Sequence, residues 1–257
     1  MQVKAFAKLN LTLDILRRRE DGYHDLQMVM QSIDLADELT ITPTEGVGAM
    51  STTLSYLPSD GRNLAQMAAE AFRNAAGRGG QLDISIVKRI PVCAGMAGGS
   101  SDAAAVLRAM NELTGAGYTP AELAKIGEAV GSDVPYCVVG GTALAEGRGE
   151  RLTALPPLPP CHVVVCKPPF PISTPQLFSR VDMRKIARRP DTEGMLAALA
   201  AGDLTGVARR MYNVFEDVLE PRRQAEINAI KAALIDCGAL GAAMTGSGPT
   251  VFGLFDD

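Results

Sequence analysis

The stretch "PVCAGMAGGSSDAA", residues 91–104, follows the alternating segment LDISIVKRI and leads into a run of alanines. Its first nine residues carry no charge, and glycine at 95, 98 and 99 lets a ligand come close to the main chain. From Ser101 the run SDAAAVLRAMNEL is strongly helical, alanine being the best helix former. A strand that delivers such a loop to a helix N-terminus presents unpaired N–H groups and the positive end of the helix dipole. Phosphate suits that cup. Ser100 and Ser101 add hydroxyl donors, and Asp102 can cap the helix or sit near a metal ion. An ordinary tight strand–helix turn has the same composition. Two familiar phosphate loops are excluded. The pattern GxxxxGK[ST] needs a lysine, and none lies between Arg89 and the helix; GxGxxG fails because Gly95 is followed by Met96-Ala97-Gly98.

The rest of the chain limits the partners. It has 257 residues, 47% of them hydrophobic and 21% charged, with a net charge of -4. That composition fits a globular protein with a sizeable core and gives no basic surface for nucleic acid or an anionic membrane. Cys93, Cys137, Cys161, Cys166 and Cys237 form no CxxC pair, so small buried hydrophobes in a reducing cytoplasm are expected rather than disulfides or a zinc site. MQVKAFAKLN lacks the apolar core of a signal peptide, and no apolar run approaches the ~20 residues of a membrane helix.

Residues 3–15 alternate with period two. Val3, Ala5, Ala7, Leu9, Leu11, Leu13 and Ile15 share one face; Lys4, Phe6, Lys8, Asn10, Thr12 and Asp14 share the other, which is then either solvated or lining a site. Asp21-Gly22 marks a turn before a second strand, IDLADELTIT. Residues 63–76 read as a helix stopped by Gly77, and LDISIVKRIPV as a strand. Thr119-Pro120-Ala121-Glu122 is a capping box opening a helix expected to reach Val130. TALAEGRGERLTAL is strand-like, and PPLPPC (156–161) is the natural boundary between domains 1–155 and 156–257. Beyond it come a buried strand (HVVVC), a helix start at Thr174-Pro175, helices near 192–200, 203–219 and 221–236, and a closing strand–turn–strand. The order indicates an α+β protein of two domains.

Two further segments carry polar chemistry. GSDVPYC (131–137) puts Asp133 in a loop before a proline, and TGSGPT (245–250) is a second Gly/Ser cup. Read alone, the first is a turn or cap and the second a hairpin turn. Together with Lys8 and Asn10 on the polar face of the first strand, they point to one site.

In these pieces the chain resembles the GHMP kinase superfamily: an N-terminal KxNLxL strand (Lys8–Leu13), the PxxxGxxGGSSDAA loop and the C-terminal TGSGPTVF turn. DGYHDLQMVMQSIDLAD, GSDVPYC, GGTALAEGRGE and STPQLF extend the likeness over nearly the whole chain and favour a branch whose substrate carries a cytidyl group. The resemblance implies a fold with an N-terminal half like ribosomal protein S5 domain 2 and a ferredoxin-like C-terminal half, using ATP and Mg2+ on a small-molecule alcohol. By residue matching, Pro91, Gly95, Ala97, Gly98, Gly99, Ser100 and Ser101 would wrap the nucleotide phosphates, and Asn63 and Lys88 its adenosine side. Ser101 and Asp102 are the candidate protein contacts for magnesium. Lys8 and Asp133 would be the catalytic pair. Asn10, Tyr23, His24, Asp133, Thr174 and Phe178 would hold substrate, with His24 and Tyr23 reading cytosine and Phe178 stacked on it. Those roles suit the chemistry. Phosphoryl transfer needs positioning and charge neutralisation, a cation at Lys8 favours an ionised Asp133, and Asp133 can accept or orient the hydroxyl proton. His162 is assigned to structure. The chain departs from the family's glycine-rich loop at Cys93, Ala94, Met96 and Ala97, and has Tyr136-Cys137 where paired aromatics are common. The alternatives are a GHMP kinase for homoserine, mevalonate or a sugar, and a non-catalytic ligand sensor on the same fold.

Overall fold

The computed structural model describes residues 1–183, 186 and 188–256. The alternating N-terminal segment forms a long strand, β1 (Gln2–Arg18), which turns at Asp21-Gly22 into β2 (His24–Thr44). Gly22 sits at φ +85°, the left-handed region that an Asp-Gly turn supplies. Then follow β3 (Met50–Thr52), α1 (Leu64–Ala76), β4 (Gln81–Val87), α2 (Gly98–Thr114), α3 (Pro120–Gly127) and α4 (Val134–Val139). The remainder is β5 (Thr142–Gly147), β6 (Arg151–Ala154), β7 (His162–Cys166), α5 (Thr174–Ser179), α6 (Thr192–Ala201), α7 (Leu204–Arg210), β8 (Tyr212–Asn213), a 3-10 turn (Val214–Val218), α8 (Pro221–Asp236), β9 (Gly241–Met244) and β10 (Val251–Phe255).

The chain divides into two compact units that are discontinuous in sequence. Unit 1 comprises residues 1–8, 33–91 and 97–140; unit 2 comprises 9–32, 92–96 and the chain from 141 onward. β1 and β2 therefore each give one half to either unit. The proline-rich stretch 156–160 lies inside unit 2, so these units differ from the contiguous halves 1–155 and 156–257.

In unit 1 the strand order is β3-β4-β2-β1, with β3 parallel to β4 and β4 antiparallel to β2 in a register running from Glu38↔Val87 to Thr44↔Gln81. Leu39, Ile41, Leu82, Ile84 and Ile86 of these strands share one core with Ala65, Ala68 and Phe72 of α1 and Ala103–Leu107 of α2. The alanines make α2 thin enough to be buried nearly all round. Asn63 caps α1 by accepting from the Ala65 N–H at 3.0 Å, and the Thr119–Glu122 capping box opens α3 as its sequence requires. α3 stops at Gly127 rather than Val130, and there α4 comes in closely: a Cβ on Gly127 would stand 2.6 Å from Val134 Cγ1.

In unit 2 the first half of β2 pairs antiparallel with β5, β5 with β6, and β1 runs parallel to β8 at Thr12↔Tyr212 and Leu13↔Asn213. A three-stranded antiparallel sheet, β7-β10-β9, is backed by α8, whose Leu234 Cβ lies 3.5 Å from where a Cβ on Gly253 would be. β7 corrects an expectation. HVVVC is an edge strand with His162, Val164 and Cys166 exposed, because it packs on one face only. The helix expected over 203–219 is instead α7, β8 and the 3-10 turn; Asn213 interrupts it by accepting from the Phe215 N–H at 3.0 Å. Among the described residues no helix is long and apolar enough to cross a membrane.

Candidate active site

α2 begins at Gly98, three residues before Ser101, so the glycines belong to its first turn. The N–H groups of Gly98, Gly99 and Ser100 have no intrahelical acceptor, and this turn carries no acidic side chain. Gly99 is exposed and Ser100 half-buried. The loop enters this turn through two non-glycine residues in the left-handed region, Cys93 at φ +52° and Ala97 at φ +57°. Gly95 is required by packing, since a Cβ there would fall 2.2 Å from the Thr245 carbonyl oxygen. The Ser100 hydroxyl faces the segment leading to Asp133, 3.9 Å from where a Cβ on Gly131 would lie.

Lys88 and Asp102 depart from expectation. Lys88 Nζ donates to Asp37 and, at 2.6 Å, to Asp102 Oδ2, and all three side chains are buried. Asp37 also accepts from the main-chain N–H groups of Arg89 and Ile90, whereas Asp102 Oδ1 is buried without a partner. One ammonium between two carboxylates leaves a net negative charge in a dry place. Burial therefore pushes the Asp102 carboxyl up to about 7, against the lowering effect of Lys88. The ammonium is thus held inside unit 1 rather than offered to an adenosine. Ser101 is likewise turned inward, donating to the Phe6 carbonyl at 2.5 Å. Among the described residues no group of three His, Cys, Asp or Glu side chains could hold a metal ion. Ser101 and Asp102 do not fit as direct magnesium ligands, one being bonded to a carbonyl and the other to an ammonium. Asn63 is engaged locally as well, its amide nitrogen donating to the Pro58 carbonyl at 2.8 Å.

Lys8 and Asp133 both belong to unit 1. Lys8 is 4% exposed on the polar face of β1. Asp133 precedes the first turn of α4, half-buried, and makes no capping bond with its side chain. Both act on one thiol: Cys137, pushed up to about 12 mainly by burial, is pushed further by the Asp133 charge and pulled back by Ser101 and Lys8. Asp133 stands one helical turn before Cys137, and Lys8 lies two residues along β1 from Phe6, whose carbonyl is held by Ser101 beside Cys137. The Pro135 that made the segment look like a loop is the second residue of α4, a favourable place for it.

Apart from Asp133, the residues matched to substrate belong to unit 2. His24 and Phe178 are stacked on each other, with ring centroids 5.0 Å apart and planes at 20°, and Phe178 meets the edge of Phe215 at 4.9 Å. Partial burial lowers the His24 pKa, with Arg18 adding to the effect, so its ring is neutral at pH 7. Tyr23 is exposed, its ring covered by the Arg148 guanidinium at 5.3 Å, which joins the DGYH and GRGE segments. Thr174 and Ser247 hydroxyls are 2.7 Å apart. Asn10 is fully buried; its N–H donates to Thr245 Oγ1 at 3.0 Å, and Thr245 in turn reaches the Gly95 carbonyl at 3.3 Å. Sequence reasoning missed Asp37, Arg108, Arg148 and Asn213. Asn213 fixes the TGSGPT turn by donating to the Met244 and Gly246 carbonyls at 2.8 Å each. An asparagine inside the expected helix 203–219 was the one available signal for it.

Comparison with known proteins agrees with this architecture. Residues 63–141 match the GHMP kinases N terminal domain and residues 195–257 the GHMP kinases C terminal domain. The 4-diphosphocytidyl-2-C-methyl-D-erythritol kinase of Clostridium kluyveri is 45% identical over 261 residues, covering 100% of this chain and 91% of that protein. The kinase of the same name from Exiguobacterium sibiricum is 47% identical over 253 residues, covering 98% and 88%. A crystal structure of 4-(cytidine 5'-diphospho)-2C-methyl-D-erythritol kinase matches with a TM-score of 0.81 at 35% identity, over 99% of this chain and 90% of that one. Homoserine kinase from Cytophaga hutchinsonii shares the fold at a TM-score of 0.73 and 22% identity, over 98% and 84%. The expected two-domain α+β architecture is thus borne out, and the chain belongs to the GHMP kinases, among the 4-diphosphocytidyl-2-C-methyl-D-erythritol kinases.

Proposed function

We propose that this protein transfers the γ-phosphoryl group of ATP to the 2-hydroxyl of 4-diphosphocytidyl-2-C-methyl-D-erythritol, in the non-mevalonate route to isoprenoid precursors. The observation that carries the reading is likeness along the full chain to kinases of that name. It is supported by the presence of Lys8 and Asp133 in unit 1, both acting on Cys137, and by Tyr23 and the stacked His24 and Phe178 in unit 2. Homoserine, mevalonate and sugars carry no aromatic base for such a group to stack on. A sensor would have no need of the charged pair.

The free amides of Gly98, Gly99 and Ser100 and the α2 dipole bind the phosphates of ATP. Asp133 takes or orients the proton of the acceptor hydroxyl, and Lys8 offsets the negative charge that builds on the transferred group. Mg2+, if bound with the nucleotide, would screen the charge of its phosphates; no protein carboxylate is assigned to it. His24, neutral, offers one ring nitrogen as donor and one as acceptor to the edge of cytosine. A base inserted between His24 and Phe178 would need ring planes ~7 Å apart. At 5.0 Å the two rings must part, or cytosine must replace one of them on the other. The reaction is placed in the cytoplasm, in keeping with five free cysteines.

The test is an assay of purified protein with ATP, Mg2+ and the cytidyl substrate beside Asp133→Ala and Lys8→Ala, read by ADP release and phosphorus NMR. Turnover that requires the cytidyl group and falls at least ~100-fold in each variant is expected, the range for a positioned general base. Intact nucleotide binding with no turnover on this substrate would overturn the assigned acceptor.

A further inference from the structure

α2 reaches two other elements from one face. Ser101 and Arg108 are seven residues apart, two turns along the helix. Ser101 Oγ donates to the Phe6 carbonyl at 2.5 Å and lies 3.3 Å from Cys137 Sγ. Arg108 donates to the Cys137 carbonyl at 2.7 Å and to the Lys4 carbonyl at 3.2 Å. Each side chain thus grips the same two elements, β1 at Phe6 or Lys4 and α4 at Cys137.

The gripped residues are in register with the charged pair. Lys4, Phe6 and Lys8 alternate onto one face of β1, and Asp133 stands one helical turn before Cys137, whose N–H bonds the Asp133 carbonyl at 3.0 Å. Arg108 is half-buried, and desolvation lowers its pKa; its bonds go to main-chain carbonyls. One of these is a C-terminal carbonyl of α4, where a cation also meets the negative end of the helix. A guanidinium drawn partly out of water without a carboxylate among these bonds is a costly way to hold two carbonyls unless their spacing matters.

We infer that Ser101 and Arg108 are positioning residues that set the separation of Lys8 from Asp133 through β1 and α4. This rests on Lys8 and Asp133 being the catalytic pair. Since Ser101 and the unpaired amides of Gly98–Ser100 share the first turns of α2, one helix would fix the phosphate loop and the catalytic pair together.

The experiment compares Ser101→Ala, Arg108→Gln and Arg108→Lys with the parent, each alone and in an Asp133→Asn background, by steady-state kinetics and thermal unfolding. Arg108→Gln and Ser101→Ala are expected to lower kcat ~10- to 100-fold, with KM for ATP within about threefold, as small displacements of reacting groups do. Arg108→Lys should recover part of the loss, since an ammonium still reaches one carbonyl. Neither variant should reduce the residual rate of Asp133→Asn further. Folded Arg108→Gln and Ser101→Ala with parental kcat, beside an inactive Asp133→Asn, would overturn the clamp alone. An equal further loss in the Asp133→Asn background would make its role structural only and overturn it as well. Full activity of Asp133→Asn would instead remove the catalytic pair, and the clamp's purpose with it.

Discussion

β1 and β7 invert the usual relation between composition and burial. β1 alternates apolar with polar residues, yet from Ala7 to Ile15 every residue on both faces is buried. β7 is His-Val-Val-Val-Cys, and alternate positions are exposed, Val164 at 46%. The difference lies in what stands on either side of each strand. β1 has neighbours in its sheet and packing on both faces, so its polar side chains must find partners inside: Thr12 accepts from the Val29 N–H at 3.1 Å, and Asp14 accepts from the Ile15 N–H at 2.8 Å and pairs with Arg189. β7 closes the edge of a three-stranded sheet, and its outer face has nothing to satisfy. A buried polar face has to be satisfied from within; an exposed valine needs no explanation.

The largest break should come from the buried cluster of Lys88, Asp37 and Asp102, in which Asp102 Oδ1 has no partner. Lys88→Met leaves Asp37 and Asp102 buried without their cation, and a loss of about 3–5 kcal/mol in urea unfolding is expected. That loss should grow with pH. The folded-state pKa of Asp102, raised to about 7 from 3.8, means that the native protein holds the proton more tightly than the unfolded chain. Stability from that proton is complete below the unfolded value and is lost as pH rises through about 7. A variant equally stable relative to the parent at pH 5 and pH 8 would contradict this. On β1, Thr12→Val keeps shape but removes the acceptor of the Val29 N–H, and a loss of about 1–3 kcal/mol is expected from the same titration. On β7, Val164→Thr should stay within ~0.5 kcal/mol of the parent; a larger loss would show that its outer face is covered in solution.

Much of the fold was legible because local chemistry agreed with the tertiary outcome. The helix expected near 221–236 spans Pro221–Asp236, and the Thr119–Glu122 box formed as its spacing required. The misses share one cause: burial depends on neighbours distant in sequence. HVVVC reads as buried from its side chains, and only its place at a sheet edge exposes it. Residues 211–219 are apolar enough for a helix, and a single asparagine bond redirects them. Of the candidate site, Lys8 and Asp133 fall in the same unit, whereas Lys88, Ser101 and Asp102 turned out to be internal. Nothing in their sequence neighbourhood identified Asp37 or Phe6 as their partners, 51 and 95 residues away.

Cys93 and Ala97 occupy backbone angles at which a side chain costs about 1–2 kcal/mol. Glycine would relieve that penalty but would also restore the wandering that a bare main chain enjoys before any ligand arrives. The two Cβ atoms narrow the shapes open to the empty loop. Less order would then have to be imposed on binding a nucleotide there, the entropy of capture being met in advance, during folding. Such a loop would work as a preset mould rather than a flexible wrap.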